Sequence, residues 1–286
     1  MTEPTQPSLF AAHPGKRAAE RFFLAYTPVW GVLAASVMLT GVANRWGDVE
    51  LLAFALLLSA GTAAGAYVFA PAEEKAKPLR ERYATKILVW LAIYSFLANT
   101  FGTSFFYEAL HAHYGFDTRF NLNGVPVFLT FMTITYFATY SVLACMGWRF
   151  VRDRVMPRSR VKGCALAFAV PVVIAGVESL LNANPWMKTL YCFDHPAMAL
   201  TFGTVAYGTW LALAMPFWVT LDERPGDDSS MRKVIAGSLL ATALLIADAE
   251  FLKRVVAPHV TEVAWGHVGL RDYGTSCLGA APEVVP

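Results

Sequence analysis

Hydrophobic positions along this chain fall into seven long runs, and short polar connections separate them. Each run holds roughly 20 residues, the length that an α-helix needs to cross about 30 Å of hydrocarbon. The pattern therefore predicts an all-α protein, a polytopic transmembrane bundle of about seven helices. The predicted spans are residues 22–43, 49–70, 87–110, 125–148, 163–182, 197–221 and 234–257.

Lysine and arginine are unevenly shared between successive connections. Of the 23 basic residues, 17 lie in alternate segments beginning with the N-terminal arm, and 6 lie in the others. The positive-inside rule then predicts a cytoplasmic N-terminus and an outer C-terminus. We expect a cytoplasmic arm at residues 1–21, a membrane domain at 22–257 and an outer tail at 258–286. The first twenty residues are polar, so we expect no cleavable signal.

Overall composition agrees with a membrane protein. Apolar residues make up 56% of the chain and charged residues only 15%, against about 25% charged in soluble domains. The net charge of +2 gives no reason to expect nucleic acid as a partner. The alanine-rich sequence favours a bacterial inner membrane, and a eukaryotic chain would be expected in the endoplasmic reticulum. The sequence does not indicate an oligomeric state.

A strip of polar side chains marks the end of the third predicted span. In a helix, Asn99 and Thr103 share one stripe, and Thr100, Ser104 and Glu108 share the neighbouring one. Such groups are costly to expose to hydrocarbon, so they are expected to face protein, a cavity or the interface. The strip is interpreted as one wall of a site.

Two acidic residues are candidates for proton transfer. Glu178 lies deep in the fifth span after about fifteen largely apolar residues, with Asn182 one turn beyond it, and Glu108 lies near the outer end of the third span. A structural role is open for both, as a solvated interfacial group for Glu108 and an interhelical hydrogen bond for Glu178. In the functional interpretation, each is a general acid or base in apolar surroundings.

Charged residues near the end of the seventh span have simpler explanations. Glu250 is expected to pair with Lys253 or Arg254 at helical spacing, whereas Asp248 has no such partner.

Seven spans also occur in retinal proteins, but those need a lysine in the middle of the last helix. Lys253 lies near its end, so this alternative is rejected.

Histidines and cysteines give weak signals. His111 and His113 lack a nearby third ligand, so no metal site is predicted. Cys192 and Cys277 both lie on the predicted outer side, where disulfides persist, and the sequence leaves open whether a bridge joins them.

The aromatic-rich outer loops 111–124 and 183–196 are either an aromatic belt at the headgroups or a lid over a lipid site.

Several blocks of this sequence carry a family resemblance when taken in order. They are KRAAERFFLAYTPVW at 16–30, RYATKILVW at 82–90, matched positions within 99–126, Glu178 with Asn184, PFWVTLDE at 216–223, and Pro258 with Cys277-Leu278. Together they resemble the cycloeucalenol cycloisomerases, the cyclopropyl-sterol isomerases of plants. No single block is diagnostic, and the ordered agreement along the chain carries the resemblance.

The resemblance implies an integral-membrane isomerase of sterols or triterpenoids that needs no cofactor. That family opens the cyclopropane bridging carbons 9 and 19, with an acid protonating carbon 19 and a base removing a proton from carbon 8. On this reading, Glu178 and Glu108 are the catalytic candidates. The substrate-binding candidates are Asn99, Thr103, Ser104, Phe101, Phe106, Tyr107, Tyr114, Asn123, Asn182 and Trp186.

The chain also departs from the family pattern at possible proton carriers. Where the family has histidines, this chain has Ser104, Ile134 and Ser141, and Glu108 stands where the family has a lysine. These departures keep a second hypothesis open, a non-catalytic membrane protein that binds or transports sterols or other lipids on the same scaffold.

Overall fold

Seven long helices dominate the structure, a computed structural model that describes residues 8–116, 118–260 and Cys277. The protein is 77% helical over the described residues, and all seven helices are long and apolar enough to cross a membrane. They are α1 (Pro14–Leu39), α2 (Asp48–Val68), α3 (Tyr83–Glu108), α4 (Val127–Val155), α5 (Arg160–Asn182), α6 (Pro196–Thr220) and α7 (Met231–Val260). The predicted fold class is confirmed, and each of the seven predicted spans corresponds to one of these helices.

The largest difference from the predicted spans is the start of α1. The helix begins at Pro14, where the His13 side chain caps it by accepting a hydrogen bond from the backbone N–H of Lys16. In this first part of the helix, Lys16 and Glu20 are buried and paired with other parts of the bundle. Residues 14–21 of the predicted arm therefore belong to α1, and most of the predicted tail lies outside the described residues.

Aromatic side chains from α3, α4 and α6 fill the centre of the bundle. The ring centroid of Trp90 lies 4.8 Å from that of Tyr94 and 5.4 Å from that of Trp218, and Phe137 lies 5.2 Å from Tyr94. These rings are almost completely buried. Around this core, α5 packs on α6, α2 on α4, and α7 on α3.

A close approach of backbone to side chain joins α1 to α2. Gly61 and Gly65 lie four residues apart on α2 and face α1. A Cβ atom at Gly65 would lie 1.8 Å from the ring of Phe22, which itself stacks between Tyr26 and Phe69 at centroid distances of 5.5 and 5.3 Å. Small residues at this spacing let membrane helices come close together.

At one end of the bundle, four charged residues whose side chains are largely buried form what we call the charged clasp, consisting of Lys16, Glu20, Arg149 and Glu223. The guanidinium of Arg149 contacts Glu20 at 2.7 Å and Glu223 at 2.6 Å. Lys16 Nζ contacts Glu223 at 2.9 Å and donates to main-chain carbonyls at the end of α6. The clasp therefore joins α1, α4 and the turn after α6.

The same end holds a second ion pair. Lys86, in the first turn of α3, contacts Asp222 at 2.8 Å and also Asp228. Asp222 adopts a positive φ of 43° and accepts a hydrogen bond from the backbone of Ser229 at 2.7 Å. The turn between α6 and α7 is thereby tied to the start of α3.

Short strands and a disulfide organise the opposite end. Strand β1 (Ala112–Tyr114) pairs antiparallel with β4 (Tyr191–Phe193), and β2 (Asn121–Leu122) pairs with β3 (Val125–Pro126). The two aromatic-rich loops therefore pair with each other. A disulfide joins Cys192 to Cys277, so the bridge that the sequence left open is present.

Candidate functional site

An apolar pocket of about 570 Å³ lies between α1, α4 and α5. This volume falls within the usual range of small-molecule sites, about 300–1,000 Å³. Several of its side chains are exposed on the lateral surface of the bundle, among them Leu143, Val173, Val177 and Leu181. A ligand can therefore enter sideways, from the surroundings of the helices.

Among the residues that the structure describes, Glu178 is the one acidic side chain in the wall of this pocket. Its Oε2 atom is buried and makes no hydrogen bond within the described part of the chain. The hydroxyl groups of Tyr140 and Tyr207 approach the same carboxyl group. An unpaired buried polar atom costs about 1–3 kcal/mol, so its position in the wall calls for a role other than stability.

A second polar spot lies on the α1 and α4 side of the pocket. The hydroxyls of Thr27 and Thr139 are 2.8 Å apart, and the indole N–H of Trp30 donates to Thr139 at 3.3 Å. All three residues line the pocket. The site thus offers a long apolar wall with two separate polar positions, one acidic and one bearing hydroxyls.

Glu108 has a different setting from Glu178. Its side chain is about half exposed, and Lys253 Nζ lies 3.2 Å from its Oε2 atom. Lys253 also contacts Glu250 at 2.6 Å and lies 3.5 Å from the hydroxyl of Ser104. Glu108 does not line the pocket, so the structure does not bring the two predicted acids together there.

The rest of the predicted strip mainly joins neighbouring elements. The Asn99 side chain donates to Thr133 of α4 at 3.0 Å, and Thr103 donates to the carbonyl of Asn99 at 2.7 Å. Asn123 donates to the carbonyl of Thr100 at 2.7 Å and so fixes the following loop to α3. These polar groups are satisfied by protein contacts and lie outside the pocket wall.

The remaining predicted substrate-binding residues also lie outside this pocket. They are Phe101, Phe106, Tyr107, Tyr114, Asn182 and Trp186. Phe101 and Trp186 are exposed, and Phe106 packs edge-on against Trp210. Tyr107 donates to the carbonyl of Gly124 at 2.8 Å. Their assignment as substrate-binding groups stays a prediction.

Sequence reasoning missed the hydroxyl-bearing side of the pocket and Tyr140. A signal for Thr27 and Trp30 was available, because both stand in the block at 16–30 that carries the family resemblance. Tyr140 gave no such signal. Its approach to Glu178 depends on how α4 and α5 pack, and 38 residues separate the two positions in the sequence.

Fold and site together define a bundle of seven helices of membrane-spanning length with a laterally open apolar pocket that contains one carboxyl group. The chain is 26% identical to cycloeucalenol cycloisomerase from Arabidopsis thaliana over 268 residues. The match covers 91% of this chain and 94% of the plant protein. This is the likeness of a divergent relative, and it confirms the resemblance seen in the sequence blocks. No family model and no solved structure matches the chain.

Proposed function

We propose that this protein is an integral-membrane isomerase of sterols or triterpenoids, which opens a cyclopropane ring or shifts a ring double bond. The observation that carries the proposal is the position of Glu178, a carboxyl with an unpaired buried oxygen in an apolar pocket of about 570 Å³. The full-length similarity to cycloeucalenol cycloisomerase supports the same reaction class.

The pocket suits a sterol-like substrate. A sterol is a rigid hydrocarbon body with one hydroxyl group, and the pocket offers an apolar wall with a separate hydroxyl pair at Thr27 and Thr139. The substrate hydroxyl would bind to this pair and the rings would lie along the apolar side chains of α5. Lateral opening lets a molecule dissolved in the bilayer enter without crossing water.

In the proposed reaction, Glu178 acts first as an acid. A carboxyl group surrounded by hydrocarbon is far less costly when neutral than when ionised, so it holds a proton for the substrate. The electron pair of the carbon 9–carbon 19 bond takes this proton, the bond breaks and carbon 9 becomes cationic. The rings of Trp30 and Tyr140, which also line the pocket, would stabilise that charge.

Loss of a proton from carbon 8 completes the step and leaves a double bond between carbons 8 and 9. The carboxylate of Glu178, directly or through the Tyr140 hydroxyl, accepts this proton and returns to its starting form. Atoms and charge balance within one isomerisation, so no cofactor is required.

The test is to express the chain in cells supplied with a cyclopropyl sterol and to analyse extracted sterols by mass spectrometry. We expect ring-opened product from the natural sequence and a loss of at least about 100-fold with Glu178→Gln, the usual contribution of a general acid or base. Glu73→Gln, at an exposed position between α2 and α3, is the matched control.

A further variant, Glu108→Gln, separates the two predicted acids. Activity that survives Glu178→Gln but is lost in Glu108→Gln would move the reaction to the strip beside Lys253 and overturn the assignment of Glu178. Expression and thermal unfolding of each variant show whether a loss is specific to the reaction.

A non-catalytic sterol or lipid carrier is the second candidate, because Glu178 is the only carboxyl or histidine among the described side chains lining this pocket. The family's histidines are also replaced at Ser104, Ile134 and Ser141. A carrier would retain sterol unchanged through purification, and Glu178→Gln would leave the amount of bound sterol unaltered.

A further inference from the structure

The strand pair at the disulfide end brings together side chains that bind metals. In the β1–β4 register, His113 lies directly opposite Cys192. Opposite residues of an antiparallel pair share one face, and so do residues two apart in a strand. Asp194 follows Cys192 by two positions, and its backbone N–H donates to the carbonyl of His111, which continues the ladder. His113, Cys192 and Asp194 therefore share a face.

Cys277 brings a fourth donor to this face. Its backbone N–H donates to Asp194 Oδ1 at 2.8 Å, and its sulfur is bonded to that of Cys192. His113 Nε2 lies 2.9 Å from Asp194 Oδ2. One ligand atom each from His113, Asp194 and Cys277 lies within 4.8 Å of the other two.

Two cysteines, a histidine and a carboxylate are a set of ligands that zinc prefers. Tetrahedral zinc with Zn–S near 2.3 Å and Zn–N near 2.0 Å places ligand atoms roughly 3.3–3.8 Å apart. The ligand atoms of His113, Asp194 and Cys277 lie within about 1 Å of that spacing. The two sulfurs must move apart, which requires the bond between them to be broken. In the disulfide form the sulfur atoms are not thiolates, so the set is completed only by reduction.

We propose that His113, Cys192, Asp194 and Cys277 form a zinc site when a dithiol reductant opens the Cys192–Cys277 disulfide. The dithiol supplies two electrons and two protons to the S–S bond and itself becomes a disulfide. Zinc then binds both sulfurs as thiolates, and their two protons pass to solvent. This inference does not depend on the proposed isomerase activity.

The disulfide form and the zinc-bound form would have one structural effect in common. Either the disulfide or the metal fixes Cys277 to the strand pair. An oxidising compartment favours the disulfide, and a reducing one makes the thiolates available to the metal.

The test uses the full chain, purified without a histidine tag, in its oxidised form and after reduction with dithiothreitol and anaerobic desalting. Zinc sulfate is added in competition with a chromogenic chelator. We expect one tightly bound zinc ion for each reduced chain and none for the oxidised chain. Cys277→Ser and His113→Asn should each weaken binding at least about 10-fold. Cys164→Ser, at an exposed cysteine on α5, is the matched control and should bind as the natural sequence does.

Zinc K-edge absorption of the loaded natural sequence provides a second measurement that needs no variant. The expected spectrum has two sulfur neighbours near 2.3 Å and nitrogen or oxygen in the remaining positions. Absence of tight binding by the reduced chain, binding that Cys277→Ser leaves unchanged, or a shell without two sulfurs would each overturn the proposal.

Discussion

Arg149 shows how this bundle accommodates full charges in an apolar chain. Only 2% of the residue is exposed, and its guanidinium contacts both Glu20 and Glu223. Guanidinium and carboxylate groups match in pairs of parallel hydrogen bonds, which offset part of the cost of removing them from water. The basic residues at this end therefore have a structural role besides the one expected from the positive-inside rule, since Arg149 joins two acidic residues that are distant in the sequence.

Removing Arg149 should be costly. The change Arg149→Met leaves two buried carboxylates with weakened compensation, and loss of one partner in a buried pair costs about 3–5 kcal/mol. Chemical or thermal unfolding of the purified protein in detergent measures the difference. Arg158→Met, at an exposed position in the loop before α5, provides the comparison and should change stability by less than about 0.5 kcal/mol.

Glu223 links the clasp to pH. Burial alone would raise the pKa of Glu223, but hydrogen bonds from Arg149 and the charge of Lys16 hold that pKa below its ordinary value of 4.5. A carboxyl whose pKa falls on folding contributes stability above its unfolded pKa, and the contribution is lost as the pH falls through the folded pKa. The stability gap between the natural sequence and Glu223→Gln should therefore be full above about pH 4.5 and shrink towards pH 3. A constant gap in melting temperature across that range would contradict this.

For the acidic residues, the sequence indicated which side chains lie in apolar surroundings or pair within one helix, but it did not indicate partners on other helices. Glu178 was named as a candidate acid because its neighbours in the sequence are apolar, and this role stays a prediction. Glu250 was expected to pair with Lys253 or Arg254 at helical spacing, and the structure shows both pairs. The pairing of Glu108 with Lys253 was not predicted. It joins α3 to α7 across 145 residues, and no local pattern reports such a contact.

Among the elements, the contact of α1 with α2 makes a direct prediction. Gly65→Ala places a methyl group against Phe22, whose ring is held between two other rings, and overpacking of this kind costs typically about 1–3 kcal/mol. A fall in melting temperature should follow. The double variant Gly65→Ala with Phe22→Ala should cost less than the two single costs added together, because the clash is gone.

Gly31→Ala is the matched control for this contact. A Cβ atom at Gly31 on α1 meets nothing within 4 Å, and alanine is the better helix former. Its melting temperature should stay level or rise. An equal loss at Gly31 and Gly65 would show that the effect is not due to packing against Phe22.

Helix positions were largely predictable from the sequence, and their internal irregularities were not. Length and apolar content are properties of a single segment, so the seven spans followed from the pattern. Four helices include π-helical segments, at Ala98–Gly102, Val151–Val155, Ala199–Gly203 and Leu252–Val256. Such segments result from how neighbouring helices meet, which the hydrophobic pattern does not record.

On the scale of the whole molecule, the two ends of the bundle differ in chemistry. Buried ion pairs hold one end, and the strand pair with its disulfide holds the other. The distribution of basic residues predicts that the ion-paired end faces the cytoplasm. A reporter active only outside the cytoplasm should be inactive when fused after Arg158 and active when fused after Lys188. The opposite result would reverse the predicted orientation.

The candidate site could not be located from the sequence, because it forms only where three helices pack together. Its walls come from α1, α4 and α5, and only Glu178 among the predicted site residues contributes to them. The sequence therefore indicated an acid in apolar surroundings, and its catalytic role stays a prediction. The shape around that acid depends on packing between segments more than a hundred residues apart, which no local pattern reports.

The charged clasp has a consequence for the making of the protein. Glu20 leaves the ribosome about 200 residues before Glu223, so at roughly 5–20 residues per second the nascent first helix waits about 10–40 s for its last counter-charge. During that interval Lys16 has no Glu223 with which to pair. A chain that stops short of the turn after α6 would leave Lys16 and Arg149 without the carboxylate of Glu223, so the first helix completes its charge pairing only near the end of synthesis.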